Sequence, residues 1–145
     1  MKQHRGCLIA FLIAVAIAAL FAYAIKTVLT PRVLSKEDPR RVFESFVCSP
    51  LPRSVGQVKA TGTMAFAGGN VFIEFQLDPE DHDDLIRRGK FQLAGDRDPS
   101  WIREFQPDGV KGELRRYVRV NEGMTETALF ISEDLRRAWF LESQI

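Results

Sequence analysis

The chain has 145 residues, 46% hydrophobic and 27% charged, with a formal net charge of +1; this balance suits a globular protein and excludes disordered, collagenous and low-complexity classes. Lys2, Arg5 and Lys26 are the only charged residues before position 30, so the remainder carries 17 basic and 19 acidic residues, a net of −2, which argues against a nucleic-acid partner held by bulk charge. Two cysteines, Cys7 and Cys48, are too few for a disulfide scaffold or a zinc ribbon.

From Leu8 to Ile25 no residue is charged, and Tyr23 is the one weakly polar side chain. As a helix this stretch is about 27 Å long, close to the hydrocarbon thickness of about 30 Å. Thr27, Val28 and Leu29 extend it if Lys26 snorkels to the headgroups. No face is polar, which argues against a soluble core helix. A short basic head before an apolar run is also the shape of an export signal, and Ala22-Tyr23-Ala24 offers a cleavage pattern after Ala24. The run exceeds the usual signal-peptide core of about 7–15 residues. The expectation is therefore a signal anchor over residues 1–29, with the bilayer as partner of residues 8–29. Cys7 precedes the apolar core, whereas a bacterial lipobox places its cysteine after it, so Cys7 reads as a small apolar residue.

Orientation has two opposing signals. Lys26, Arg32, Lys36, Arg40 and Arg41 follow the helix, against Lys2 and Arg5 before it. Counted literally, this places the domain in the cytoplasm. Long domains translocate largely regardless of charge, and the short head has the export shape. The expectation is a single-pass protein of a bacterial inner membrane with an extracytoplasmic domain.

Thr30-Pro31 ends the helix, and residues 30–37 read as a linker to a domain over 38–145. Asp38-Pro39, Asp78-Pro79 and Asp98-Pro99 each predict a helix start, with aspartate as cap and proline in the first turn. Val42, Phe43, Phe46 and Val47 form one apolar stripe after the first pair. His82, Leu85 and Ile86 share a face after the second, with Gly89 closing the helix. Trp101, Ile102 and Phe105 follow the third. Between the first two helices, residues 57–66 and 71–77 alternate with period two around Ala67-Gly-Gly-Asn70, which predicts a hairpin. Gly62 weakens its first strand or marks a bulge. Three more strands are predicted at about 113–120, 125–131 and 136–142 by their alternation and turn signals. The last two are apolar on both faces and read as interior. The fold class is α+β, with an antiparallel sheet of about five strands and two to three short helices. Phe75, Trp101, Phe105 and Trp139 are expected in the core.

Leu51-Pro52-x-Ser54, Val71-x-Ile73-x-Phe75, Asp78-Pro79-Glu80-Asp81, Trp101 and Ile131-Ser132-Glu133-Asp134 together make a layout that resembles small bacterial exported or membrane-anchored domains, many of them lipoproteins. The resemblance covers residues 45–142. It implies export and an α+β fold, and no activity. The chain differs from the lipoprotein members in lacking a lipobox.

Chemistry is sparse. Past the apolar segment there is one histidine, His82, and one cysteine, Cys48. Spacing alone leaves a Cys48–His82 pair open, but a cysteine ending an apolar helix reads first as a buried structural thiol; exposed after export, it would instead crosslink two chains. The run Asp78-Pro-Glu-Asp-His-Asp-Asp84 has carboxylates suited to a hard cation. It lacks the glycine and distal glutamate of a calcium loop, and its acids read better as complements to a helix N-terminus, with Asp83 and Asp84 pairing Arg87 and Arg88. No catalytic residue, metal ligand or cofactor is assigned. Alternation over 113–120 puts Glu113, Arg115, Tyr117 and Arg119 on one face and Leu114, Arg116, Val118 and Val120 on the other. The second face is expected inward. Arg115, Tyr117 and Arg119 are the candidate partner surface, since arginine and tyrosine are enriched at binding hot spots. The function expected is a tethered protein-binding or structural module. The alternatives are a small membrane-proximal hydrolase or metal-dependent enzyme, and a secreted domain released after Ala24.

Overall fold

The computed structural model describes residues 3–65, 68–96, 98–119 and 125–144. It divides into two units, Met1–Pro31 and Arg32–Ile145. The first is a single helix, α1 (Gln3–Leu29). Its Leu12–Leu29 stretch is exposed throughout, and is long and apolar enough to cross a membrane. The Thr27 hydroxyl donates to the carbonyls of Tyr23 and Ala24, and that of Thr30 to the carbonyl of Lys26. These hydroxyls therefore bring no unsatisfied polar group to the helix.

The second unit is α+β. Its strands are β1 (Arg32–Val33), β2 (Gly56–Ala65), β3 (Gly68–Gln76), β4 (Gln92–Leu93), β5 (Leu114–Arg119), β6 (Thr125–Ser132) and β7 (Arg137–Gln144). They make one antiparallel sheet in the order β1-β2-β3-β7-β6-β5-β4. About five strands were expected; the two additions are β1 and β4, each two residues long at a sheet edge. Two residues carry no period-two pattern, and short edge strands limit pairing with other chains. β1 also shortens the expected linker. Arg32 and Val33 pair with Met64 and Thr63, and Leu34, in a 3-10 turn over Leu34–Lys36, is completely buried. The folded domain therefore begins at Arg32.

The three expected helices form as α2 (Pro39–Phe46), α3 (His82–Arg88) and α4 (Ser100–Glu104). They start in different ways. Asp38 caps α2, its carboxylate accepting from the Arg40 N–H at 3.0 Å with Pro39 in the first turn. Asp78 makes no such bond, because a 3-10 turn over Pro79–Asp81 precedes α3. Ser54, from the distant segment before β2, accepts from the Asp78 N–H at 3.2 Å instead. Pro99 occupies the cap position of α4, and the Asp98 carboxylate turns back to the Gly95 N–H at 2.5 Å.

The β2–β3 hairpin is in register from Ala60↔Ile73 to Ala65↔Gly68. Gly68, Gly69 and Asn70 thus lie within β3, and Ala67 lies outside the described residues. The irregularity falls between Gly56 and Lys59, where Gln57 has φ 48°, not at Gly62. Gly62 pairs regularly with Val71 but has φ 114°, and a Cβ there would lie 2.0 Å from the Asn70 carbonyl oxygen. Only glycine fits that close approach.

Both faces of the sheet carry apolar side chains. On the first, Ile73, Phe75, Leu129, Ile131 and Phe140 pack with Phe43, Val42 and Leu85 of the helices. Phe43 meets Phe75 edge to face at 4.9 Å between ring centroids. On the second, Ala128, Phe130 and Trp139 pack with Leu114 and with Ile102 of α4. β6 and β7 are interior strands, as expected. Phe75 and Trp139 are core residues at 1% and 2% exposure. Trp101 and Phe105 are partly buried and lean on Phe130, at 6.4 and 4.3 Å between centroids.

Candidate functional site

The expected arginine–tyrosine surface on β5 does not form as an open face. Arg115 is exposed, but Tyr117 is buried and Arg119 is partly buried on the helix-covered side of the sheet. The Tyr117 hydroxyl lies 3.0 Å from Nε2 of His82, whose Nδ1 is 2.8 Å from the exposed Asp83 carboxylate. Arg119 donates to the carbonyls of Gly89 at 2.8 Å, Phe46 at 2.8 Å and Val47 at 2.6 Å. These carbonyls belong to the C-terminal ends of α3 and α2, which have no partner further along their own helices. The guanidinium also lies over the Phe91 ring at 4.6 Å. Burial works against its charge, and the three carbonyls with the aromatic face offset that cost. Helices α2 and α3 cover the one face of β5 that alternation alone leaves to solvent. On the opposite side Arg116, expected inward, is partly buried and donates to the carbonyls of Ile102 and Leu114; Val120 lies outside the described residues.

Cys48 is a buried free thiol. Burial pushes its pKa up, against the opposing pull of Arg88, so the reactive thiolate is disfavoured there. The two ring nitrogens of His82 are engaged by Tyr117 and Asp83. In the acidic run, Asp84 pairs with Arg87 and with Arg88, the latter at 2.7 Å. Asp81 accepts from the hydroxyl and N–H of Ser54 at 2.6 and 3.3 Å, and those bonds hold its carboxyl below the usual range. The run is thus bound into the fold by arginine and serine contacts. Among the described residues no group of three His, Cys, Asp or Glu could hold a metal ion.

The second sheet face holds a different feature, a groove of about 390 Å³. Cross-strand pairing lays out its floor in two rows. Phe72 pairs with Leu141, and Ser143 sits between Asn70 and Glu126; such neighbours are about 5 Å apart and act as one surface. Trp101 lines the groove from α4 and donates its indole N–H to Oε2 of Glu126 at 2.8 Å. The result is an apolar strip of Phe72, Leu141 and Trp101 beside a polar strip of Asn70, Ser143 and Glu126. A concave, mostly apolar surface with a few convergent polar groups is the usual form of a small-ligand site, and its volume is within the range of about 300–1,000 Å³. Sequence reasoning missed it because it joins four distant segments. One signal was present: Phe72 stands on the otherwise polar alternation Phe72, Glu74, Gln76. The chain matches no family model, no curated protein and no solved structure.

Proposed function

We propose that this chain is a membrane-tethered binding module. Residues 8–29 hold it in a bacterial inner membrane, the α+β domain lies on the extracytoplasmic side, and the groove on the second sheet face is its binding surface. The observation that carries the reading is the uninterrupted, exposed apolar stretch Leu12–Leu29 joined to a folded domain. An apolar helix with no polar face is costly in water and favourable in hydrocarbon, where its backbone bonds are satisfied internally. A tether of this kind confines a binding domain to the membrane surface and needs no catalytic group.

Alkaline carbonate extraction tests the anchor, which is expected to keep the chain in the membrane pellet. A soluble form beginning at Ile25 would show cleavage after Ala24 and defeat the tether. Protease treatment of spheroplasts tests orientation, with digestion of the domain expected. A protected domain would place it in the cytoplasm, as the flanking charges count.

A further inference from the structure

We propose that the groove binds a small organic cation, an ammonium or guanidinium group carried on an apolar body; this rests on the reading of the groove as the binding surface and adds the chemical class of its ligand. Glu126 is partly buried at the groove, and its one partner among the described residues is the neutral indole N–H of Trp101. A carboxylate has about four acceptor positions over its two oxygens, so the bond to Trp101 leaves most of them directed elsewhere. Among the described residues no cation pairs with Glu126. The groove lining includes no lysine or arginine; Glu142 touches it, but its carboxylate accepts from the Thr127 hydroxyl on the opposite face of the sheet. Asp84 and Glu74, partly buried as Glu126 is, each meet an arginine. A carboxylate removed from bulk water gains most from a cation that brings its own charge and donors.

The neighbours of Glu126 define the rest of the ligand. Trp101 presents the aromatic system that attracts cations best, and its ring is held by the bond to Glu126 and by its contact with Phe130. Phe72 and Leu141 form an apolar floor one cross-strand row away. A cationic head at Glu126 and Trp101 therefore places an apolar tail on Phe72 and Leu141. An anion would meet the Glu126 carboxylate, and a neutral ligand would leave that carboxylate without a charged partner.

The test uses the full chain in neutral detergent micelles, with tryptophan fluorescence as the readout. Trp101 lines the groove, while Trp139 is buried and supplies a constant background. The probes are phenethylammonium, 2-phenylethanol and phenylacetate, which share one apolar body and differ in charge. Saturable quenching by the amine is expected at concentrations up to about 10 mM, the range for a fragment of this size. Glu126→Gln is expected to weaken the amine about tenfold, and it also controls for partition of the amine into detergent. If that variant does not fold, salt serves instead: added sodium chloride must weaken the amine and leave the alcohol unchanged. Equal binding of alcohol and amine, or an unchanged Glu126→Gln, would overturn the cationic ligand while leaving the groove as a binding surface. No saturable response to any of the three probes would overturn both.

Discussion

Arg119→Met separates a structural arginine from a surface one. The guanidinium donates three hydrogen bonds, to the carbonyls of Phe46, Val47 and Gly89, and lies over Phe91 at 4.6 Å. Charge-assisted hydrogen bonds contribute about 1.5–3 kcal/mol each in a buried setting. Arg119 is only partly buried and an open cleft lies beside it, so water recovers part of each bond; about 1 kcal/mol per bond and ~0.5–1 kcal/mol from the aromatic face are appropriate. Methionine keeps most of the apolar stem and loses both contributions, so the expected destabilisation is about 3–4 kcal/mol. Arg119→Lys restores the charge without the planar fork and should fall between methionine and wild type. Arg115, exposed on the same strand face, should tolerate glutamate within about 0.5 kcal/mol. Urea unfolding of the full chain in neutral detergent, followed by tryptophan fluorescence, measures all three. A loss below about 1 kcal/mol for Arg119→Met would show that water serves the helix-end carbonyls as well as the guanidinium does, and the argument from orphaned carbonyls would fail.

Two further outcomes are expected from the same unfolding measurement. Trp139→Ala removes a large side chain at 2% exposure and should cost about 3–5 kcal/mol; a change below about 1 kcal/mol would contradict its place in the core. Asp81 has its pKa lowered by the Ser54 bonds, so its contribution is fully present above the unfolded value of about 3.9 and is lost as pH falls through the lower folded value. The stability advantage of wild type over Asp81→Asn should therefore shrink as the medium is acidified below about pH 4, and an advantage that stays constant would refute the coupling to Ser54.

Much of the local structure was legible in the residues. Hydrophobic length alone singled out α1 as a helix long and apolar enough to cross a membrane. Period-two alternation located β2, β3, β5, β6 and β7, and the apolar character of 129–131 and 138–141 marked β6 and β7 as interior. Asp38-Pro39 announced α2 through a bond made within three residues. What the tertiary structure decided depended on partners distant in the chain. β7, the last strand, inserts between β3 and β6, and no local pattern specifies which strand a neighbour will be. β1 and β4 exist only because longer strands offer them an edge. Alternation correctly separated Tyr117 and Arg119 from Leu114 and Val118, but could not say that helices cover the first face as well. The Glu126–Trp101 pair spans 25 residues of sequence. Its groove arises from the same cause, since a period of two assigns residues to faces while only packing determines what lies above each face.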